Sequence, residues 1–307
     1  AIALLVLPLV FTSCSDYLDR DDDDNITEAD VFARYEKVNG LASDVYAAAK
    51  KADRPLVFFE HFSNSAITDE CEGTNVEGNI TNNFNNGAWN PNSLPGSVGQ
   101  YWEALYEGIR KANLIIENVQ KYNTPDNPQQ DGDLRNRIGE MYFMRGYFHM
   151  LLLRMYGEAP YIDRVINAGD NMDFKKESVH SMVEKIVTDA QTAYGMVPNK
   201  YVKTSENFGR VDKGACLGLI SFVRWVAATP LWNGASQYGY NLRRVFENEY
   251  AYDATRWRKA KEAAKAVLDF EVGGTKRYSL YTKHDANDFK DPADGNLNDS
   301  RVYARLW

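Results

Sequence analysis

Residues 139–162, GEMYFMRGYFHMLLLRMYGEAPYI, contain a long amphipathic helical signal. Apolar side chains recur at intervals of three and four, as they do on the buried face of a helix. This face is formed by Ile138, Met141, Tyr142, Phe148, Leu152 and Met155. Gly157 followed by Pro160 is typical of a helix end. The pattern predicts a helix from about Leu134 to Tyr156.

Further helices are predicted on both sides of this segment. Upstream, a helix ending near Tyr122 would pair with it as an α-hairpin, and its apolar face is formed by Trp102, Leu105, Tyr106, Ile109, Ala112, Ile116 and Val119. Downstream, the periodicity predicts helices over 179–197 and 213–228, which are ended by Pro198 and Pro230. A third downstream helix carries Trp257, Ala260, Ala264, Val267 and Leu268. Near the start of the chain, Thr27 and Asp30 have the spacing of a capping box before a helix over 31–50.

These helices predict a mainly α fold. Helical pairs with a bulky aromatic residue near their start and small residues at the crossing are typical of tetratricopeptide-like repeats, because each hairpin buries its face only against its neighbours. The spacing is too irregular for a regular array, so an unrelated helical bundle stays open as an alternative. No segment has the pattern of a parallel sheet. We therefore predict a tetratricopeptide-like helical-hairpin scaffold with long irregular ligand-binding loops.

The amino-acid composition and the net charge indicate which kinds of ligand the chain can bind. The 307 residues include 25% charged and 44% hydrophobic residues, which is typical of a folded protein with a sizeable core. The formal net charge is -8, and no cluster of Lys and Arg is long enough to follow a phosphate backbone. We expect no nucleic-acid partner, and a neutral ligand fits better.

The first residues predict export and lipidation. AIALLVLPLV (1–10) is apolar but too short to cross a bilayer as a helix, and Ser13 then precedes Cys14 as in a lipobox. We expect residues 1–14 to be the end of a signal peptide whose Cys14 takes a lipid, with the chain beginning inside its precursor. The alternative is an apolar N-terminal strand with an incidental cysteine. Residues 15–26 are predicted to be an acidic tether, and residues 27–307 the helical domain.

A calcium site in the tether is rejected. An EF-hand loop starting at Asp21 would place Ile26 where Gly is required and Phe32 where the bidentate Glu belongs. No other metal site and no cofactor are predicted.

The longest irregular stretch, residues 53–99, has the composition of a ligand face. Sugar binding needs flat apolar side chains beside amides or carboxylates, and residues 73–100 surround Phe84 and Trp89 with many asparagines. Long loops in compact domains are usually functional. The structural alternative is that these asparagines form turns and that Trp89 packs inward.

Five stretches resemble the SusD/RagB family of surface lipoproteins. They are CSDYLD (14–19), YWEALYEGIRKANLIIENV (101–119), the segment 139–162 quoted above, KGACLGLISFVRWVAATPLWNG (213–234) and RWRKAKEAAKAVLDF (256–270). The resemblance implies the helical scaffold, an outer-membrane location facing the cell exterior, and a TonB-dependent SusC-like barrel transporter as partner. It also implies ligand contacts in the 73–100 loop, which map to Trp89 with Asn92 and Asn90. Family members are normally much longer, so we expect a C-terminal portion to be missing.

Little in the sequence predicts catalysis. There is no GxSxG, HExxH, P-loop or dinucleotide motif, and paired carboxylates for glycoside hydrolysis cannot be recognised by spacing. The histidines have no ligand at metal spacing and are interpreted as core or surface residues; they are His61, His149, His180 and His284.

Other chemically notable residues are interpreted as structural. Arg145 is predicted to be a paired core residue, and Trp232-Asn233-Gly234 a turn. Cys216 is predicted to be a buried free thiol, although one disulfide with Cys71 is possible. Tyr281, Tyr303 and Trp307 are further candidates for the ligand face.

The leading hypothesis is a cell-surface lipoprotein, not an enzyme, that binds oligosaccharides and delivers them to the transporter. A peptide-binding importer subunit of the same architecture is the first alternative. A helical scaffold with only protein partners and a glycan-cleaving enzyme are the others.

Overall fold

The computed structural model describes residues 27–52, 66, 68–69, 80–88, 92, 96–122, 128–202, 204–234 and 246–279. In this part of the chain the helices are α1 (Glu28–Phe32), α2 (Tyr35–Ala52), α3 (Ile80–Asn85), α4 (Gly96–Tyr122), α5 (Pro128–Tyr156), α6 (Val179–Met196), α7 (Lys213–Ala228) and α8 (Ala254–Asp269). A 3-10 turn, Glu247–Tyr250, precedes α8. A short antiparallel hairpin of β1 (Glu271–Val272) and β2 (Thr275–Lys276) follows it. The mainly α prediction is confirmed.

The long helices stack in chain order. α2 packs against α4 and α5, and from α4 to α8 each helix packs against the next. The predicted hairpins therefore exist as α4 with α5 and α6 with α7. The apolar faces predicted for α4 and α5 supply the centre of the core, in which Leu105, Ile109, Met141, Phe148 and Leu152 are almost fully buried.

Close packing at the α4–α5 crossing depends on a glycine. A Cβ at Gly108 would lie 2.5 Å from the ring of Phe148, so any larger residue would force this buried ring or one of the helices to move. At the end of α5, Gly157 has φ 71°, which ends the helix where the sequence predicted.

The start of the domain differs from the sequence prediction in one detail. The capping box of Thr27 and Asp30 is present, but it begins the short helix α1, and Ala33 and Arg34 separate that helix from α2. The sequence predicted one helix over 31–50, and this is corrected; the apolar residues Val31, Val38 and Val45 continue one helical periodicity across the break, so the pattern does not reveal it. None of the helices in the described part of the chain has the length and apolar character that a bilayer span requires.

Candidate functional site

A surface groove beside α4 is a candidate ligand site among the described residues. Its volume is about 800 Å³, within the range of small-molecule sites. One wall comes from α4, and the other comes from residues 157–178, a segment without regular structure that links α5 to α6 and that we call the strap. The groove is lined by Trp102, Glu103, Tyr106, Glu107, Ile109, Arg110, Ile162, Arg164, Ile166, Asn167, Ala168, Gly169, Asp170 and Met172.

Hydrogen bonds from α4 fix the strap in place. The Tyr106 hydroxyl donates to the carbonyl of Pro160 at 2.7 Å, and Arg110 donates to the carbonyl of Ile166 at 2.9 Å. The buried amide of Asn113 donates to two further strap carbonyls, at 3.1 and 3.0 Å. A backbone held at several points loses little further entropy when a ligand binds, so the groove is preformed.

Aromatic rings form the α4 wall of the groove. The rings of Trp102 and Tyr106 have centroids 4.9 Å apart, and Trp102 also meets the edge of Tyr156 at 4.9 Å. Tyr156 is held by a 2.6 Å hydrogen bond from its hydroxyl to the carbonyl of Val98. Burial raises the pKa of Tyr106, so its hydroxyl stays protonated and keeps its hydrogen bond. The rings of Trp102 and Tyr106 offer rigid apolar surface to the groove, of the kind that stacks on sugar rings.

Charged side chains border the apolar wall. Arg164 pairs with Asp170 at 2.6 Å, and Asp170 also accepts from the backbone of Asn167 at 3.0 Å. Glu103 and Glu107 project from α4 on the other side. Met172, which is 68% exposed, completes the rim. Apolar rings flanked by carboxylates and a guanidinium suit a ligand with many hydroxyl groups.

Beneath the strap, a buried polar cluster supports the site. Arg145 donates to both carboxylate oxygens of Asp189 at 2.8 and 2.6 Å, and to Asn113 and the Asp163 carbonyl at 2.9 Å each. The hydroxyl of Tyr161 donates to the same carboxylate at 2.6 Å. We call these residues the Asp189 cluster. The prediction that Arg145 is a paired core residue is confirmed.

His149 lies directly under the strap and is fully buried. Its Nε2 accepts from the backbone N–H of Ile162 at 3.0 Å, and its Nδ1 lies 2.8 Å from the carbonyl of Arg145, which requires a neutral ring protonated on Nδ1. Burial, reinforced by nearby cationic side chains, lowers the pKa of His149 to about 3. His149 is therefore a core residue, one of the two interpretations that the sequence left open.

The predicted turn at Trp232-Asn233-Gly234 and the thiol of Cys216 also have structural roles. The amide oxygen of Asn233 accepts from the backbone of Asp253 at 2.7 Å and from Arg256 at 2.8 Å, which anchors the start of α8. His180 is part-buried with a ring nitrogen 2.8 Å from the Trp232 carbonyl, and burial lowers its pKa to about 4. Cys216 is a buried free thiol whose pKa burial raises to about 12.

Within the predicted 73–100 loop the structure describes residues 80–88, 92 and 96–100, and α3 and the start of α4 lie in this stretch, which was predicted to be irregular. Several residues singled out from the sequence lie outside the described residues; they are Trp89, Asn90, Cys14, Cys71, His61, His284, Tyr281, Tyr303 and Trp307. Asn92 is described and is exposed in a turn. It precedes α4 by four residues, and Trp102 lies about 9 Å along the axis from the first residue of that helix. The predicted loop therefore enters the helix that carries the groove.

Sequence reasoning did not find the groove. It assigned Trp102 and Tyr106 to a core face, and they are only partly buried. Two signals were available in the sequence. Trp102 and Tyr106 lie at the N-terminal end of that face, and the polar residues Arg164, Asn167 and Asp170 lie in an irregular segment after α5. Among the described residues, no three His, Cys, Asp or Glu side chains are grouped so that they could hold a metal ion.

Stacked helical hairpins with a preformed surface groove define a helical-repeat binding scaffold. The SusD-like family model, described as "Starch-binding associating with outer membrane", matches residues 16–223, and the chain belongs to this family. It is 28% identical over 129 residues to SusD-like protein P2 of Formosa agariphila, a match that covers 42% of this chain and 24% of that protein. The family resemblance inferred from the sequence is confirmed.

Solved structures show the same fold at low identity. A SusD homolog from Bacteroides thetaiotaomicron matches with a TM-score of 0.59 and 21% identity, covering 84% of this chain and 44% of that one. A laminarin-binding SusD-like protein matches with a TM-score of 0.56 and 19% identity, covering 80% and 46%. The chain thus spans about a quarter of the curated relative and less than half of either structure.

Proposed function

We propose that this chain is a carbohydrate-capturing surface lipoprotein that hands oligosaccharides to a TonB-dependent outer-membrane transporter. The observation that carries the proposal is the preformed aromatic groove on α4, the helix that the asparagine-rich loop enters. Membership of a family described as starch-binding supports it, as does the likeness to a protein that binds laminarin. Capture is proposed to need no catalytic group and no cofactor.

The proposed ligand contacts are Trp89, Asn92 and Asn90, with the groove as their extension along α4. Trp89 would stack on a sugar ring, and the two amides would bond hydroxyls on its edge. Cys14 is proposed to carry the lipid that holds the protein at the outer membrane, facing the cell exterior. With a few stacked rings and exposed hydrogen bonds, net binding is expected near -4 to -6 kcal/mol, a dissociation constant of about millimolar to tens of micromolar. Weak binding suits a protein that must release its ligand.

The test is affinity electrophoresis of the body from Ser15 onward through gels that contain single polysaccharides, laminarin and starch among them. The wild-type protein should be retarded by at least one. Trp89→Ala should lose about tenfold or more in affinity for the polysaccharide because a central aromatic contact is removed. Met172→Gln should lose less affinity, because Met172 would contact the ligand only at the rim of the groove. Trp257→Ala is the matched control, since this tryptophan is 42% exposed on α8 and lies outside the groove.

Equal retardation of wild type and Trp89→Ala would remove Trp89 from the site. Binding to a peptide library with no retardation by any polysaccharide would replace the proposal with the peptide-importer alternative.

A further inference from the structure

A second, polar cleft lies between α2, the first turns of α5 and the connection from α6 to α7. Its volume is about 690 Å³. It is lined by Tyr35, Asn39, Ser43, Asp133, Asn136, Arg137, Pro198, Lys200, Tyr201, Val202, Glu206, Asn207 and Arg210. None of these residues lines the α4 groove, so the cleft is separate from the proposed sugar site.

At the base of this cleft two arginines share one carboxylate. Glu140, which is fully buried, accepts from Arg137 at 2.7 Å, from Arg210 at 2.9 Å and from the hydroxyl of Tyr201 at 2.7 Å. Arg137 also donates to the amide oxygen of Asn39. We call these five residues the Glu140 cluster. It contains two positive charges and one negative charge.

The cluster also leaves donors unused. The Nε–H of Arg137 is buried and has no hydrogen-bond partner, and the Arg137 side chain as a whole is only 8% exposed. The Nη2 group of Arg210 lies 2.8 Å from the Glu140 oxygen that Nε already uses, and it makes no well-aligned hydrogen bond. Buried N–H groups without an acceptor are rare because they lose their water without compensation. Both unused groups belong to guanidinium cations that line the cleft.

The arginines are held rigidly. The guanidinium of Arg210 stacks over the ring of Tyr201, 4.3 Å from its centroid, and donates to Asn207 at 2.9 Å. Burial and the charge of Glu140 raise the pKa of Tyr201, which keeps its hydroxyl protonated as a donor to Glu140. A rigid pair of guanidinium groups is the usual protein partner of carboxylate, sulfate and phosphate oxygens.

We infer that this cleft binds an anionic group, a carboxylate or a sulfate, against Arg137 and Arg210. The anion would supply the charge that Glu140 leaves unbalanced, and it would contact the parts of the two guanidinium groups that line the cleft. On the rim, the exposed Lys200 adds to the attraction, while the exposed Glu206 and the partly buried Asp133 oppose it. Because the whole chain has a net charge of -8, general electrostatic attraction would not bring an anion here, so binding must be local. The inference does not depend on the proposed function.

Nitrogen-15 NMR of the Arg137 Nε–H, identified by its absence in Arg137→Lys, tests the inference at constant ionic strength. Titration with sodium sulfate and with sodium glucuronate should give a saturable shift for at least one of them. A response to glucuronate alone assigns a carboxylated sugar, and a response to sulfate alone assigns a sulfate group. A response to uncharged methyl glucoside, or no saturable shift with either anion, overturns the inference.

Rim variants separate this site from adventitious binding, and they should fold because both positions are exposed. Lys200→Gln should raise the titration midpoint about two- to fivefold, and Glu206→Gln should lower it by a similar factor. Lys261→Gln makes the same charge change as Lys200→Gln on the exposed surface of α8 and should leave the midpoint unchanged. Equal midpoints in wild type, Lys200→Gln and Glu206→Gln would show that the anion does not bind in this cleft.

Discussion

The Asp189 cluster and the Glu140 cluster are both buried and both built on arginine, but they are balanced differently. In the Asp189 cluster one guanidinium meets one carboxylate, and every side-chain nitrogen of Arg145 has an acceptor. In the Glu140 cluster two guanidinium groups share one carboxylate, and both retain an unused buried nitrogen. A buried ion pair whose charges balance and whose donors all have acceptors holds secondary-structure elements together. A cluster with an excess charge and donors without acceptors retains the capacity to bind another group.

Their positions agree with this difference. The Asp189 cluster joins α4, α5, α6 and the strap beneath the aromatic groove, where any movement would disturb the groove wall. The Glu140 cluster lies at the base of an open polar cleft. One cluster therefore supports a site, and the other is proposed to be one.

The largest expected effect is the loss of unfolding free energy when Arg145 is removed from the charge-balanced Asp189 cluster. Arg145→Met leaves Asp189 buried with only Tyr161 as a donor, and removing one partner of a buried pair costs about 3–5 kcal/mol. Urea unfolding at pH 7 should show this loss of unfolding free energy. Arg258→Met is the control, because that arginine is 68% exposed and should change stability by less than about 0.5 kcal/mol. A loss below about 1 kcal/mol in Arg145→Met would contradict the structural role of the cluster.

The same Arg→Met change in the Glu140 cluster should lower the unfolding free energy by less. In Arg137→Met, Glu140 keeps Arg210 and the hydroxyl of Tyr201, and the buried charges become one positive and one negative. The expected loss is about 1–3 kcal/mol, mainly from the hydrogen bonds to Glu140 and Asn39. Urea unfolding beside Arg145→Met gives the comparison directly. If Arg137→Met lost as much as Arg145→Met or more, the distinction between the clusters would be wrong.

Acid should destabilise the fold through His149, which stacks on Tyr161 beside the Asp189 cluster. Because the pKa of His149 falls from 6.5 to about 3 on folding, the unfolded chain binds more protons between these values, so stability falls as the pH falls through this window. One such group contributes a slope of at most about 1.4 kcal/mol per pH unit. Urea unfolding at pH 7, 6 and 5 should show a falling unfolding free energy.

His180 contributes to the same window, since burial lowers its pKa to about 4. Substituting His180→Gln should remove part of the slope, and the slope that remains should disappear in a variant that also carries His149→Gln. A slope between pH 7 and 5 that is unchanged in both variants would exclude the histidines as its cause.

Much of the fold was predictable because helical periodicity is a local property of the sequence. The predicted ends of α5, α6 and α7 at Gly157, Pro198 and Pro230 agree with the observed helices to within two residues. Paired burial of Arg145 was predictable too, because a charge inside an apolar stripe needs a partner.

The two clefts were not predictable, because each combines residues that are far apart in the chain. The α4 groove joins Tyr106 to residues of the strap about 60 positions later, and the Glu140 cluster joins Asn39 to Arg210. No spacing rule connects such residues. The loop prediction of Trp89, Asn90 and Asn92 stays a prediction, and it depends on composition and family resemblance.

The most direct test of carbohydrate capture is a crystal structure of the protein with the oligosaccharide that gives the strongest retardation in the affinity gels. The account predicts a sugar ring stacked on Trp89, hydrogen bonds from Asn92 or Asn90, and a chain that continues toward Trp102 and Met172 in the α4 groove. Sugar density bound elsewhere, with Trp89 packed into the protein interior, would contradict it.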